Sequence, residues 1–146
     1  LAQLREWDEQ REQDWSLRQF PLHDSFYHYC VELNKIYSDH PALWARDYEC
    51  SGFIWRQVSD NTNVVYAFER RSTCERMLCV LNLSDQKLSN YHVSLGEAKR
   101  TKVLLNSDWH RFSGSTAETE HSWHRLARNE LVCDLAPFSG QLYAVE

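Results

Sequence analysis

Apolar residues recur along this chain with two different periods, and the change of period divides it. Leu22, Phe26, Tyr29, Cys30, Leu33, Ile36 and Tyr37 follow one another at spacings of three and four, which lays a single stripe along a helix. Pro21 suits the helix entrance and Asp24 or Ser25 suits a cap. Ser38-Asp39-His40-Pro41 ends the helix, because the residue before a proline resists helical dihedrals. Ala42–Arg46 has room for one further turn. Residues 1–20 show neither period and read as a loop.

After Tyr48 the period becomes two. Phe53–Val58, Val64–Arg70, Met77–Ser84, Tyr91–Leu95, Thr101–Leu105, Glu130–Leu135 and Gln141–Val145 each read as a strand. Turn residues separate them, among them Asp60-Asn61, Ser84-Asp85, Ser89-Asn90, Ser113-Gly114-Ser115 and Ser139-Gly140. Short strands at near-regular spacing predict an antiparallel sandwich. Met77–Leu83 is almost wholly apolar, as a central strand buried on both faces must be. His110–Arg128 reads as a long loop. The boundary between the two regimes falls near Tyr48–Ser51. A lone amphipathic helix ahead of a β-sandwich must bury its stripe either on the sheet or on a neighbouring domain.

Composition narrows the function. The chain has 146 residues, of which 42% are apolar and 13% aromatic, with six tryptophans. That suffices for a core, and the aromatic surplus serves either dense packing or a flat ligand surface. A formal charge of −5 disfavours a nucleic-acid partner, which calls for a basic face. The longest basic cluster, Lys99-Arg100-Thr101-Lys102, reads as a solvated strand face. No apolar run approaches the ~20 residues of a membrane span. Cys30, Cys50, Cys74, Cys79 and Cys133 are odd in number and form no CxxC pair, so they read as free thiols of a reducing cytoplasm. The chain opens without a start methionine, a targeting pattern or a first strand, and is expected to be the tail of something larger.

A series of motifs then carries a resemblance. QLREWDEQREQDW (Gln3–Trp15), FPLH (Phe20–His23) and LNKIYSDHPALW (Leu33–Trp44) are followed by GFIWRQVSDNTNVVYAFERR (Gly52–Arg71). LCVLNLS (Leu78–Ser84), KVLLNSD (Lys102–Asp108), FSGS (Phe112–Ser115) and a closing strand after Leu135-Ala136-Pro137 continue the series. In that order the chain resembles the carboxyl-terminal part of bacterial 1,4-alpha-glucan branching enzymes of the alpha-amylase superfamily. It departs from them at the start, where only Leu1-Ala2-Gln3 stands in place of an acidic-aromatic-glycine run, and in a loop after Phe112 that is short of glycine and proline.

The resemblance implies a mostly β fold. Residues 1–48 would be the loop and closing helices at the end of a catalytic (β/α)8 barrel, and residues 49–146 an all-β carboxyl-terminal domain. The parent would cleave an alpha-1,4 glucan and move the segment onto a 6-hydroxyl, with alpha-glucan and the upstream barrel as partners and the cytoplasm as its location. Retention of configuration needs two carboxyls about 5 Å apart, and the resemblance places these upstream, so no catalytic residue is expected here. The acidic groups Asp8, Glu9, Glu12, Asp14, Glu118 and Glu120 sit in polar segments and read as surface.

Barrel active sites form where loops leave the strands at their carboxyl ends. The first loop would leave the last strand there, which makes Trp7, Asp8 and Trp15 candidate substrate contacts, weighed against a role as anchors of the loop. Trp44 and Trp55 read as core at the domain junction, and Trp109 and Trp123 as flanks of the long loop with a weaker claim to a sugar platform. His110, His121 and His124 lack metal-ligand spacing, and no cofactor or nucleotide motif is visible. Two alternatives remain: a free-standing carbohydrate-binding sandwich, and the equivalent domain of another alpha-amylase relative.

Overall fold

The computed structural model describes residues 7–146. Irregular backbone over 7–14 leads through a 3-10 turn, Trp15–Gln19, into the helix α1, Pro21–Asp39. Pro21 stands at the first turn as expected. The expected cap does not form: Phe20 holds the N-cap position, and Asp24 instead receives Arg18 at 3.0 Å. His40 and Pro41 end the helix, and Pro41–Leu43 makes one 3-10 turn.

Eight strands follow: β1 Phe53–Asp60, β2 Val65–Arg71, β3 Arg76–Asn82, β4 Leu88–Ser94, β5 Arg100–Asn106, β6 His124–Arg125, β7 Glu130–Leu135 and β8 Ser139–Val145. Six of them form one antiparallel sheet in the order β1-β2-β3-β8-β5-β6, and β4 pairs with β7 in a second. β8 therefore inserts between β3 and β5, pairing Leu78 with Tyr143 on one side and Val103 with Tyr143 on the other.

The two faces of the large sheet explain why the middle of β3, Met77–Leu81, is apolar without a break. Its inner face carries Val65, Ala67, Leu78, Val80, Tyr143 and Val145, packed against Val93, Leu95, Leu131 and Leu135 of the small sheet side. Its outer face carries Met77, Leu105 and Leu142, packed against Ile36, Ala42 and Trp109 and, at the margin, Tyr29 and Leu33. With layers on both sides, the side chains of Met77–Leu81 are apolar whichever face they take, and the polar Arg76 and Asn82 stand at the strand's two ends.

The helix stripe is thus divided. Tyr29, Leu33 and Ile36 settle on the sheet of this same chain, the first of the two places open to the stripe. Leu22, Phe26 and Tyr37 stay exposed, with Leu22 at 72%. Leu22 and Phe26 join Leu83 and Phe138 around an apolar hollow between the start of α1 and the β7–β8 corner. A contiguous apolar surface of this kind marks an interaction face. No helix among the described residues is long and apolar enough to cross a membrane.

Candidate functional site

Glu69 lies on β2 in the same alternation as Val65 and Ala67, so the strand period sends its carboxylate inward, where it is wholly buried. Arg56, Arg71 and Arg76 surround it. Arg56 Nε donates at 2.8 Å, Arg71 Nε at 2.8 Å, and Arg76 reaches both oxygens. Burial alone would push the carboxyl upward; the hydrogen bonds from Arg76 and Arg71 and the charges of Arg76 and Arg56 outweigh it and hold it below the usual glutamate range. This cluster locks β1, β2 and β3 together. Its carboxylate is closed to solvent while the arginines reach the surface, and it is no catalytic dyad.

On the opposite face of β1 and β2 the same alternation presents aromatic rings. Phe53 and Phe68 stack at 5.1 Å, and Trp55 meets Phe53 edge-on at 5.0 Å and Phe68 at 5.8 Å. Tyr66 lies 6.3 Å from Trp55. Across the antiparallel ladder Phe68 pairs with Cys79 and Tyr66 with Leu81, so the rings share the outer face on which α1 lies. β1 is an edge strand, and Trp55 keeps 50% of its surface exposed. Trp55 is therefore not part of this chain's own core, and neither is Trp44, 43% exposed. Among the described residues no helix covers that face at the β1 edge.

Trp109 is corrected in the other direction. It is the largest fully buried side chain, stacked on Phe112 at 6.4 Å and flanked by Arg111. It cannot be a surface platform. The neighbouring loop closes on Asp108, whose carboxylate accepts from the Ser115 amide and hydroxyl and from Thr116 Oγ1 at 2.5 Å. Gly114 is required there, since a Cβ would sit 2.1 Å from the Asp108 carbonyl oxygen. The motifs KVLLNSD and FSGS are thus the two halves of one closed turn.

Trp7, Asp8 and Trp15 do not converge with either cluster. Trp7 is fully exposed with a positive φ of 61°. Asp8 bonds within its own turn, to the Gln10 amide at 3.2 Å and Arg11 at 3.2 Å. Trp15, 55% exposed, leans edge-on against Tyr27 of α1 at 6.4 Å, and Arg18 covers the same Tyr27 ring. All the acids weighed for hydrolysis, Asp8, Glu9, Glu12, Asp14, Glu118 and Glu120, are exposed. The histidines of the long loop are engaged separately: His110 with the Ser115 carbonyl, His121 with the Val103 carbonyl and His124 with Ser122. Among the described residues no group of three His, Cys, Asp or Glu side chains is placed to hold a metal.

Residues 55–146 match the model of the alpha amylase C-terminal all-beta domain, and the chain belongs to that family. Within it, the chain is 32% identical over its whole length to a 1,4-alpha-glucan branching enzyme of Oceanobacillus iheyensis, covering 24% of that protein. It is 40% identical over 79% of its length to one from Rhizobium radiobacter, covering 16% of it. The chain therefore spans about a quarter or less of the curated relatives it matches. Among solved structures, the trehalulose synthase MutB from Pseudomonas mesoacidophila superposes with a TM-score of 0.51 over 82% of the chain and 18% of its own, at 22% identity. At that identity the likeness speaks for the fold.

Proposed function

We propose that this chain is the non-catalytic carboxyl-terminal part of a 1,4-alpha-glucan branching enzyme. The observation that carries the reading is the match to such an enzyme along the entire chain, helix and first loop included. Residues 1–48 then close a (β/α)8 barrel and residues 49–146 form the domain that follows it. The exposed ring of Leu22, Phe26, Leu83 and Phe138 supports this, because it offers the barrel an apolar seat. In a retaining transfer the nucleophile and general acid stand about 5 Å apart and one is raised in pKa by burial. The exposed acids of this chain meet neither condition, so the reacting carboxyls belong to the barrel. The parent acts in the cytoplasm on alpha-glucan.

The chain's share is to hold glucan. Sugar rings lay their apolar faces on exposed indoles, and the Trp55 cluster supplies a preformed aromatic surface whose neighbours already fix its rotamer. Trp7, Asp8 and Trp15 keep a second role, at the rim of the barrel's active site once the barrel is present. The test is the intact protein incubated with amylose and followed by proton NMR. New alpha-1,6 linkages are expected; loss of alpha-1,4 linkages without them overturns the assignment.

A further inference from the structure

The distribution of unpaired positive charge is uneven for a chain of net charge −5. Among the described residues, the basic side chains with no carboxylate within ion-pair distance are Lys35, Lys87, Lys99, Lys102, Arg125 and Arg128. The last four fall on β5, on β6 and in the segments joining them to their neighbours, at the free edge of the large sheet. Lys99, Arg100 and Arg125 line one cleft there with Trp123, Leu126 and Asn129, and its volume is about 680 Å³. Such a size suits a small ligand.

Trp123 forms the wall of this cleft. Arg100 lies 4.9 Å and Lys102 5.5 Å from its ring centroid, and 36% of the residue stays exposed. One acid is present: Glu146, whose side chain pairs with Arg100 and whose main-chain oxygen accepts the Lys99 and Arg100 amides. That leaves Lys99 and Arg125 lining the cleft without a carboxylate partner, with Lys102 over the Trp123 ring. Clustered cations with no internal partner repel one another and favour an anion between them.

We infer that this cleft binds a phosphate monoester carried on a sugar, with Lys99 and Arg125 taking the phosphate and Trp123 taking the apolar face of the hexose. The sugar half of this assignment rests on the glucan reading above; the anionic half rests on the charges alone. Arginine and lysine around a phosphate give the short, charge-assisted hydrogen bonds such a group needs. The same phosphate monoester occurs on a free hexose phosphate and on a phosphorylated glucan, and both present the same pair of features.

The test is a titration of the full chain with five probes: glucose 6-phosphate, a phosphorylated maltodextrin, neutral maltoheptaose, inorganic phosphate and a short oligonucleotide. Calorimetry and the indole N–H signals of the six tryptophans provide the readouts. Glucose 6-phosphate is expected to shift the Trp123 signal and to bind at least about tenfold tighter than inorganic phosphate, and the affinity should fall as salt rises. Lys99→Ala with Arg125→Ala should remove that binding while leaving maltoheptaose at Trp55 unchanged, and circular dichroism checks that the double variant is folded. Tighter binding of the phosphorylated maltodextrin than of the free ester would identify a glucan-borne phosphate; the reverse would identify the free metabolite. Equal affinity for inorganic phosphate, an unmoved Trp123 signal, or stronger binding of a short oligonucleotide than of either sugar phosphate would each overturn the inference. If maltoheptaose fails to bind anywhere while glucose 6-phosphate binds, the glucan reading falls and the anion site stands.

Discussion

Arg76 Nη2 lies 2.9 Å from one carboxylate oxygen of Glu69 and 3.1 Å from the other, so that a strand β3 cation grips a β2 anion that solvent cannot reach. Arg76 also donates to the Leu95 carbonyl at 3.3 Å, tying the grip to the chain that leaves β4. Removing the anion strands three guanidinium groups in a half-buried place. Glu69→Ala is expected to cost about 3–5 kcal/mol, the usual penalty for breaking a buried ion pair from one side. Chemical denaturation monitored by tryptophan fluorescence measures it, and a loss below about 1 kcal/mol would show that water replaces the carboxylate.

The same carboxyl sets an acid limit. Its folded pKa lies below its unfolded value because the arginines outweigh burial. A depressed carboxyl contributes stability that is complete above the unfolded pKa and is lost as pH falls through the folded one. The unfolding free energy should therefore drop on acidification below the ordinary glutamate range, about 4.3. Glu69→Gln should be less stable at neutral pH yet show a shallower loss on the acid side. Parallel acid limbs for the two proteins would assign the acid sensitivity elsewhere.

Trp55 separates binding from folding. Half its surface is exposed on an edge strand, and the rings of Phe53 and Phe68 remain stacked without it. Trp55→Ala is expected to weaken retardation in glycogen-containing gels roughly tenfold, as loss of an aromatic hot spot does. Its thermal midpoint should change little. Trp44→Ala, an exposed tryptophan outside the ring cluster, serves as the comparison and should migrate as the parent does. Equal migration of both variants would remove glucan binding from the β1–β2 face.

What the sequence disclosed followed periodicity closely. Glu130–Leu135 was foreseen at its true bounds, and Pro21 and Pro41 bracket α1 as expected. β6 escaped because His124-Arg125 is too short to show a period. The exposure of Trp55 was not legible because alternation tells which side of a strand a residue faces, and says nothing of whether anything covers that side. Trp109, a lone apolar residue between Asp108 and His110, gave no pattern at all, although it fills the outer core. Glu69 had a signal: it continues the inward set of Val65 and Ala67, and a charged residue on a core face demands partners. Those partners come from β1, β2 and β3, and only the folded chain brings them together.

Trp109 carries a separate consequence, because its Nε1–H is buried with no acceptor among the described residues. Trp109→Ala opens a cavity under α1 and should cost about 3–5 kcal/mol. Trp109→Phe keeps most of the apolar contact with Met77 and Leu105 and also discards the orphaned donor. An unsatisfied buried donor costs about 1–3 kcal/mol, so the phenylalanine variant should retain clearly more stability than the alanine one. Matching losses would mean that the indole N–H finds a partner in solution.

Four of the five thiols should react in an order set by burial. Cys50 and Cys74 are exposed, whereas burial pushes the Cys79 thiol up to about 12 and Cys133 up to about 11. Only the thiolate attacks an alkylating reagent. At pH 8 a group with a pKa near 12 is ionised to roughly one part in ten thousand, on top of the steric barrier of the core. Cys79 lies on the outer face of β3, beside Tyr29 of α1, so reagent reaches it only when the helix lifts from the sheet. Iodoacetamide labelling followed by mass spectrometry should therefore modify Cys50 and Cys74 within minutes and Cys79 only with global unfolding. If Cys79 were labelled early while Cys133 stayed protected, α1 would be opening independently of the sandwich. Protection of both to the same denaturant concentration would instead establish that helix and sandwich unfold as one unit.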